Sequence, residues 1–302
     1  MNQPILIAGL GYLGSALADA LSKEGRAVAG LTKSEPDPTR SGRRSYPVWS
    51  CDLSDREAVL ALADHLRSTG QSPSHLIHCA SSGRGGPEAY RAVFVDGSRH
   101  LIDAFPGVPL FFTSSTSVYP QTDGSTVTET SPTEPDRETG RQLLEAERQV
   151  LAAGGTVLRL AGLYGPSRSV HLQKFLSGTA TIESGPVSRW LNQLHRDDAV
   201  GAIVHLLTLP PEETRGQIFN VADDTPITQR TCYEQLATHF SRPLPPEAPP
   251  DPDPNRGWTH KVVSNAKLRD TGWEPKYPSF HSAVSNDPTL VPSIRERLED
   301  AD

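Results

Sequence analysis

The sequence is poor in cysteine. Cys51, Cys79 and Cys232 are odd in number, far apart and without a C-x-x-C pair among 302 residues. That spacing offers neither a disulfide framework nor a thiolate metal site. It reads as three reduced, mostly buried thiols of a cytoplasmic protein. Positive charge is also short: 29 Lys and Arg stand against 36 Asp and Glu, a net charge of -7. This balance argues against general nucleic-acid binding and against docking on anionic membranes. No apolar run approaches the roughly 18 residues of a membrane span. The first apolar segment is too short, and lacks the basic flank, for a secretion signal. The ten histidines are scattered and the carboxylates lack ligand spacing, so no metal site is expected. Internal repeats are absent. At 36% hydrophobic residues the chain still holds enough apolar surface for a core at this length.

What is present begins at the N-terminus. Residues 4–8 form a short apolar run that predicts a buried strand. Gly9-Leu10-Gly11-Tyr12-Leu13-Gly14 follows and fits G-x-G-x-x-G, and Leu13, Leu17 and Leu21 then recur at helical spacing. Strand, glycine turn and helix make the first half of a dinucleotide-binding unit. Gly9 serves the tight turn, Gly11 lets a pyrophosphate approach the backbone, and Gly14 lets helix and strand pack closely. The helix N-terminus would hold the pyrophosphate on its free N–H groups. Gly9, Gly11, Tyr12, Leu13 and Gly14 are therefore candidate cofactor-binding residues.

The second strand is expected over 26–31. An acidic residue at its tip would bind a ribose 2′-hydroxyl. Here the tip reads Thr32-Lys33-Ser34. A neutral and a cationic residue suit a 2′-phosphate, so Thr32 and Lys33 predict NADP(H) in preference to NAD(H). Arg40, Arg43 and Arg44 follow in a loop that could add positive charge. Further strands are expected at 48–51, 75–80, 110–113 and 156–160, with helices at 55–67, 88–105 and 138–152. This alternation predicts an α/β protein with a doubly wound parallel sheet of the Rossmann type. Residues 243–255, rich in proline and acids, read as an extended, exposed connection. The residues from 286 onward read as a short charged helix or a frayed tail.

Several motifs in order resemble those of extended short-chain dehydrogenases/reductases of the NAD(P)-dependent epimerase/dehydratase kind. Asp52-Leu53 resembles the adenine-contacting pair, and His78-Cys79-Ala80-Ser81 the fourth-strand segment beside the cofactor. Thr113-Ser114-Ser115-Thr116-Ser117-Val118-Tyr119 resembles the Ser-Ser-x-x-Val-Tyr segment, with Ser115 in the place of the catalytic serine. The segment from Leu158-Arg159 through Ala161, Leu163 and Tyr164-Gly165-Pro166 resembles the one beside the nicotinamide. Leu194-His195-Arg196-Asp197-Asp198, Phe219-Asn220-Val221 and Thr271-Gly272-Trp273-Glu274-Pro275 match later landmarks. The resemblance implies a Rossmann domain over 1–165, to which the chain returns at about 190–222. Residues 166–189 and 223–302 would form a smaller substrate lobe and tail, with substrate between the lobes. It also implies cofactor contacts at Asp52, Leu53, Cys79, Ala80, Ser81, Thr113, Ser114, Ala161 and Leu163, and a monomer or homodimer.

The family's proton machinery is a tyrosine followed four positions later by a lysine, which lowers the tyrosine pKa from about 10. No Tyr-x-x-x-Lys occurs in this chain; the corresponding helix carries Thr139 and Leu143, and a supporting helix asparagine is replaced by Phe94. The pattern resembles the atypical branch of these enzymes. Ser115 remains, and Tyr119 and Tyr164 are candidate substitutes for the lost acid. Arg84, in the glycine-rich segment after the fourth strand, is a candidate anion ligand. Two readings follow. One is an NADP-binding oxidoreductase or epimerase/dehydratase-like enzyme for a hydroxyl- or keto-bearing small molecule, a sugar derivative among the candidates. The other is a noncatalytic NADP(H)-binding sensor or regulator.

Overall fold

The computed structural model describes residues 3–35, 44–83, 85–185, 187–249 and 259–300. Arg40, Arg43 and Arg84 lie outside the described residues, as do 250–255 of the proline-rich stretch. The chain divides into two compact units. The first comprises Met1–Val118, Thr133–Arg159 and Ile203–Phe219; the second comprises Tyr119–Pro132, Leu160–Ala202 and Asn220–Asp302. The expected break after Gly165 lies within the second unit by this division.

The first unit is built on an α/β sheet. Its elements are β1 (Ile5–Ala8), α1 (Tyr12–Lys23), β2 (Val28–Thr32), β3 (Val48–Ser50), α2 (Arg56–Ser68) and β4 (His75–His78). Then come α3 (Pro87–Tyr90), a π-helical turn (Arg91–Asp96), α4 (Gly97–Ala104), β5 (Leu110–Ser115), α5 (Glu138–Ala152), β6 (Thr156–Leu160) and β7 (Ile218–Val221). The chain crosses between the units inside β6 and inside β7. The seven strands run in the order β7-β6-β5-β4-β1-β2-β3. Pairings from β3 through β5 are parallel, with Ile5 opposite Val28 on one side and His75 on the other. This is the Rossmann-type sheet expected from the alternation of elements. β1, in the middle of this parallel sheet, is buried at every residue and so reads as an unbroken apolar run. α1 buries Leu13, Leu17 and Leu21 along one stripe. α2 starts where the Asp55 side chain accepts from the Ala58 N–H, an N-cap that offsets one orphan donor.

The strand order reverses beside β1: β2 leaves to one side and β4 to the other. Crevices that bind ligands in such sheets form at the carboxyl ends of the strands at this switch. Gly9 follows β1 there, and Cys79-Ala80 follows β4.

The second unit has its own core, which includes Leu172, Phe175, Tyr233, Leu236, Phe280, Leu290 and Ile294. Of the two readings of the tail, the short charged helix is the one found: Leu290–Glu299 is a helix docked through Leu290 and Ile294, both fully buried. Residues 243–249 of the proline-rich stretch are extended and mostly exposed, and within them Glu247–Ala248 pairs in parallel with Ile182–Glu183.

Candidate functional site

The glycine turn has the geometry a dinucleotide site needs. Gly9 has φ of 100°, and a Cβ there would stand 2.4 Å from the backbone of Ala80. A Cβ on Gly14 would stand 2.0 Å from the Gly9 oxygen. Both positions are closed to any side chain. Gly11 differs: a Cβ there would meet nothing within 4 Å. Its side of the turn is open, where an incoming pyrophosphate would pass. Gly11 is also the N-cap of α1, with no side-chain hydrogen bond. A glycine cap contributes no side-chain oxygen of its own to the helix end that would bind an anion. Tyr12 and Leu13 stand in the first turn of that helix. Gly9 and Leu10 both donate their N–H to the Leu31 oxygen, at 3.0 and 3.1 Å, which ties the turn to β2.

Thr32 is the last residue of β2, and Lys33 follows it. The Thr32 hydroxyl donates to the Ser34 oxygen at 2.8 Å. The Lys33 side chain is 77% exposed, and its Nζ pairs with Asp52 Oδ2 at 3.0 Å. Partial burial alone would raise the Asp52 carboxyl. Hydrogen bonds from the Ser54 hydroxyl and N–H and from Lys33 outweigh it and hold the group below its ordinary value. Lys33, after β2, and Asp52, after β3, are thus held together by an ion pair. Leu53 is buried, and its oxygen accepts from His100 Nδ1 at 2.8 Å.

On the other side of the turn, Ala80 stands nearest to Gly9. Cys79 donates its N–H to the Ala8 oxygen at 2.8 Å. Burial pushes the Cys79 thiol up to about 12, against a lowering hydrogen bond with Thr113, so it is no thiolate nucleophile. Thr113 Oγ1 donates to the His78 oxygen at 3.0 Å. Ser81 is exposed, and its Oγ accepts from the Gly83 N–H. The cofactor-side candidates of the first unit stand at or just after the ends of β1, β2, β3, β4 and β5.

Alternation along β5 separates its two serines. Ser114 is buried and its hydroxyl donates to Glu147 Oε1 at 2.5 Å. Ser115 is half-buried, and its Oγ accepts the Ser117 N–H at 3.1 Å. Its hydrogen remains for another acceptor. Glu147 also takes Arg159 Nη2 at 2.7 Å and Nε at 3.1 Å. The arginine and glutamate side chains are 4% and 2% exposed. This network was missed from sequence. Its signal was Arg159 itself, a cation in an otherwise apolar strand, which requires a buried acid.

Thr139, Leu143 and Glu147 share one face of α5, four residues apart. This is the face that the resemblance gives to tyrosine and lysine. The helix carrying Phe94 is distorted: residues Arg91–Asp96 widen into a π turn. The Val93 oxygen in that turn accepts from His78 Nε2 at 3.0 Å. Burial pushes His78 down to about 4, so the ring stays neutral. Phe94 packs against His78, Tyr90 and Phe112.

In the second unit, Tyr119 is fully buried and its hydroxyl donates to Asn220 Oδ1 at 2.8 Å. Tyr164 is buried edge-on to His195 and Phe280, and its hydroxyl has no partner among the described residues. Burial, then the carboxylates Asp223, Asp198 and Asp287, push that hydroxyl above its ordinary value. Both tyrosines thus sit as packed core residues rather than as activated acids. Ala161 is buried and donates to the Val221 oxygen; Leu163 pairs with Leu194. His195 Nε2 meets Asp287 Oδ2 at 3.1 Å, and Asp198 accepts from the Lys276 and Tyr277 N–H groups. The landmark around His195 therefore fastens backbone. Among the described residues no group of three or more His, Cys, Asp or Glu is placed to hold a metal ion, and no helix is long and apolar enough to cross a membrane.

Comparison with known proteins agrees with this geometry. Residues 5–222 match the NAD dependent epimerase/dehydratase family. Protein YeeZ of Escherichia coli (strain K12) is 32% identical, over 95% of this chain and 98% of that protein. The UDP-glucose 4-epimerase of Thermus thermophilus, solved in complex with NAD, aligns with a TM-score of 0.78 at 22% identity, covering 97% of this chain and 99% of that one. The UDP-glucose 4-epimerase of Thermotoga maritima, solved with UDP-glucose, aligns with a TM-score of 0.78 at 19% identity over the whole of both chains. At those identities the two structures show the fold.

Proposed function

The chain belongs to the NAD dependent epimerase/dehydratase family, and we propose that it is an NADP(H)-binding oxidoreductase or epimerase/dehydratase-like enzyme. Its substrate on this reading is a small hydroxyl- or keto-bearing molecule of the sugar type. The observation that carries the reading is the turn at the sheet's switch point, closed at Gly9 and Gly14 and open at Gly11. The structural neighbours solved with NAD and with UDP-glucose support the cofactor and substrate classes. A nicotinamide dinucleotide held by its pyrophosphate at the turn would supply or accept hydride.

The chain's own residues divide the remaining work. The first turn of α1 and the open side of Gly11 receive the pyrophosphate. Thr32 and Lys33 face the adenosine end, where the exposed ammonium leaves Asp52 for a 2′-phosphate. A charge-assisted pair of this kind, partly screened, is worth about 1–2 kcal/mol. Lys33→Ala is therefore expected to weaken NADP(H) binding by about 5- to 30-fold and to leave NAD(H) nearly unchanged. Titration of both cofactors on both proteins checks this; equal losses for the two would remove the selectivity role.

Ser115 orients the substrate oxygen by donating its free hydrogen. A hydroxyl of this acidity positions and stabilises charge but does not by itself deliver a proton at neutral pH. Ser115→Ala should lower turnover by about 10²–10³-fold, the usual cost of one positioned donor, with cofactor affinity unchanged. The assay follows NADPH oxidation or NADP reduction across a panel of carbonyl and alcohol substrates. Full activity in the variant would exclude Ser115. A second reading, a noncatalytic NADP(H) sensor, draws on Thr139 and Leu143 standing where tyrosine and lysine would act, and on the packing of Tyr119 and Tyr164. Tight cofactor binding with no turnover across the panel would favour it.

A further inference from the structure

The helix Gln229–Phe240 of the second unit buries Cys232, Tyr233 and Leu236. The helix Phe280–Asn286 buries Phe280, Ala283 and Val284 in the same core. Ser279 caps this second helix by accepting the Ser282 N–H at 3.0 Å. A shared close-packed core and a side-chain cap hold both backbones in place.

Gln235 and His239 stand four residues apart, one above the other on the first of these helices. His281 lies in the first turn of the second. The His239 and His281 rings have centroids 5.8 Å apart and planes at 87°. Nδ1 of His281 and Oε1 of Gln235 are buried, and neither has a hydrogen-bond partner among the described residues. His239 is exposed, and its ring also meets Phe240.

The other three histidines of the unit are each engaged. His171 meets the Tyr233 hydroxyl, His195 meets Asp287, and His260 accepts the Trp190 N–H. A buried polar atom left without a partner calls for an explanation. Edge-to-face packing accounts for the angle between the two rings. It does not account for an unpaired ring nitrogen and an unpaired amide oxygen on the same two helices. With the ring proton on Nε2, Nδ1 offers a lone pair, as the amide oxygen does.

The spacing of the rings suits a shared ion. A metal bonded to an imidazole nitrogen at about 2.0–2.1 Å stands roughly 3 Å from the ring centre, so two rings on one ion are about 5–6 Å apart. The observed 5.8 Å falls in that range. His239 also lies in the last turn of its helix, where the dipole favours a cation.

We propose that Gln235, His239 and His281 bind one zinc-class divalent ion. Nδ1 of His281, a ring nitrogen of His239 and Oε1 of Gln235 are its protein ligands, and water completes the shell. Among the described residues no third His, Cys, Asp or Glu joins the two imidazoles, and the amide oxygen takes that place. Imidazole nitrogen selects zinc, nickel or copper over magnesium and calcium. The ion ties the two helices together and so stabilises the folded chain. Its ligands are too far apart in sequence to show ligand spacing.

The test titrates untagged, full-length protein with zinc chloride in a calorimeter, with magnesium chloride at matched ionic strength as baseline. Melting temperature is the second readout. The parent is expected to bind zinc, to melt at a higher temperature with it, and to ignore magnesium. His239→Gln and His281→Gln should each weaken zinc binding at least about tenfold, the least that damage to a metal site usually costs. Gln235→Glu replaces the amide by a carboxylate and should tighten it. His65→Gln, at an exposed position of α2 in the first unit, is the control and should change nothing. If His281→Gln does not fold by circular dichroism, the exposed His239→Gln decides. No response to zinc in the parent beyond that to magnesium, or equal zinc binding in the parent and both histidine variants, overturns the proposal. A loss in His65→Gln as large as that in His239→Gln overturns it too, since surface histidines at large would then bind the zinc. Looser binding in Gln235→Glu overturns Gln235 as a ligand. None of these results bears on the cofactor reading, because the titrations contain no NADPH.

Discussion

Glu147→Ala is expected to destabilise the protein by about 3–5 kcal/mol, the usual result of stranding one member of a buried ion pair. Against a total stability of roughly 5–15 kcal/mol this is a large share. The cause is local. Arg159 would keep its charge inside β6, and Ser114 would lose the acceptor that it meets at 2.5 Å. Urea denaturation at neutral pH measures the effect as a lowered midpoint with an unchanged slope. The companion experiment isolates the mechanism. Glu147→Leu with Arg159→Met and Ser114→Ala replaces the network by apolar groups of similar volume, and should recover most of the loss. If the triple variant is as unstable as Glu147→Ala, packing rather than stranded charge is responsible.

Gly11→Val should abolish useful cofactor binding while the fold survives. At φ of -83° the backbone accepts an L-residue, and the new Cβ would meet no protein atom within 4 Å. The cost to α1 is that of a poor N-cap, about 1 kcal/mol or less. The branched side chain would instead fill the space left for the pyrophosphate. Affinity for NADPH should fall at least about 100-fold, or about 2.7 kcal/mol. Gly9→Ala and Gly14→Ala make the contrast. Each drives a Cβ into backbone, at Ala80 and at the Gly9 oxygen respectively, so both should lose stability along with binding. Circular dichroism on the three variants separates a blocked site from a broken turn.

How much of this was legible in the sequence depends on what each signal encodes. β6 and α5 lie where the sequence puts them, at 156–160 and 138–152, because an apolar run and a 3.6-residue stripe are local properties. The glycine turn was legible for the same reason: Gly9 and Gly14 each answer a close backbone approach, and Gly11 leaves its side of the turn open. The interruption of the expected 88–105 helix was not. A π turn adds one residue to one turn and leaves the apolar stripe on either side intact. The His78 ring that holds the Val93 oxygen within that turn is a contact from β4. The final helix was legible in part. Leu290, Ile294 and Leu298 recur every four residues, a docking stripe that the charged residues between them mask. Tyr119 and Tyr164 show the limit of motif reasoning. Their segments align with known ones, but whether a hydroxyl faces substrate or core is decided by packing against Asn220, His195 and Phe280.

The central claim is that a nicotinamide dinucleotide carrying a 2′-phosphate sits on the Gly9–Gly14 turn. Calorimetric titration of the parent protein with NADPH and, separately, with NADH tests it most directly, with Gly11→Val as the control. The account predicts one NADPH per chain, bound about 5- to 30-fold more tightly than NADH, and no measurable binding of either to the control. Binding of neither cofactor to the parent, or tighter binding of NADH than of NADPH, would contradict it.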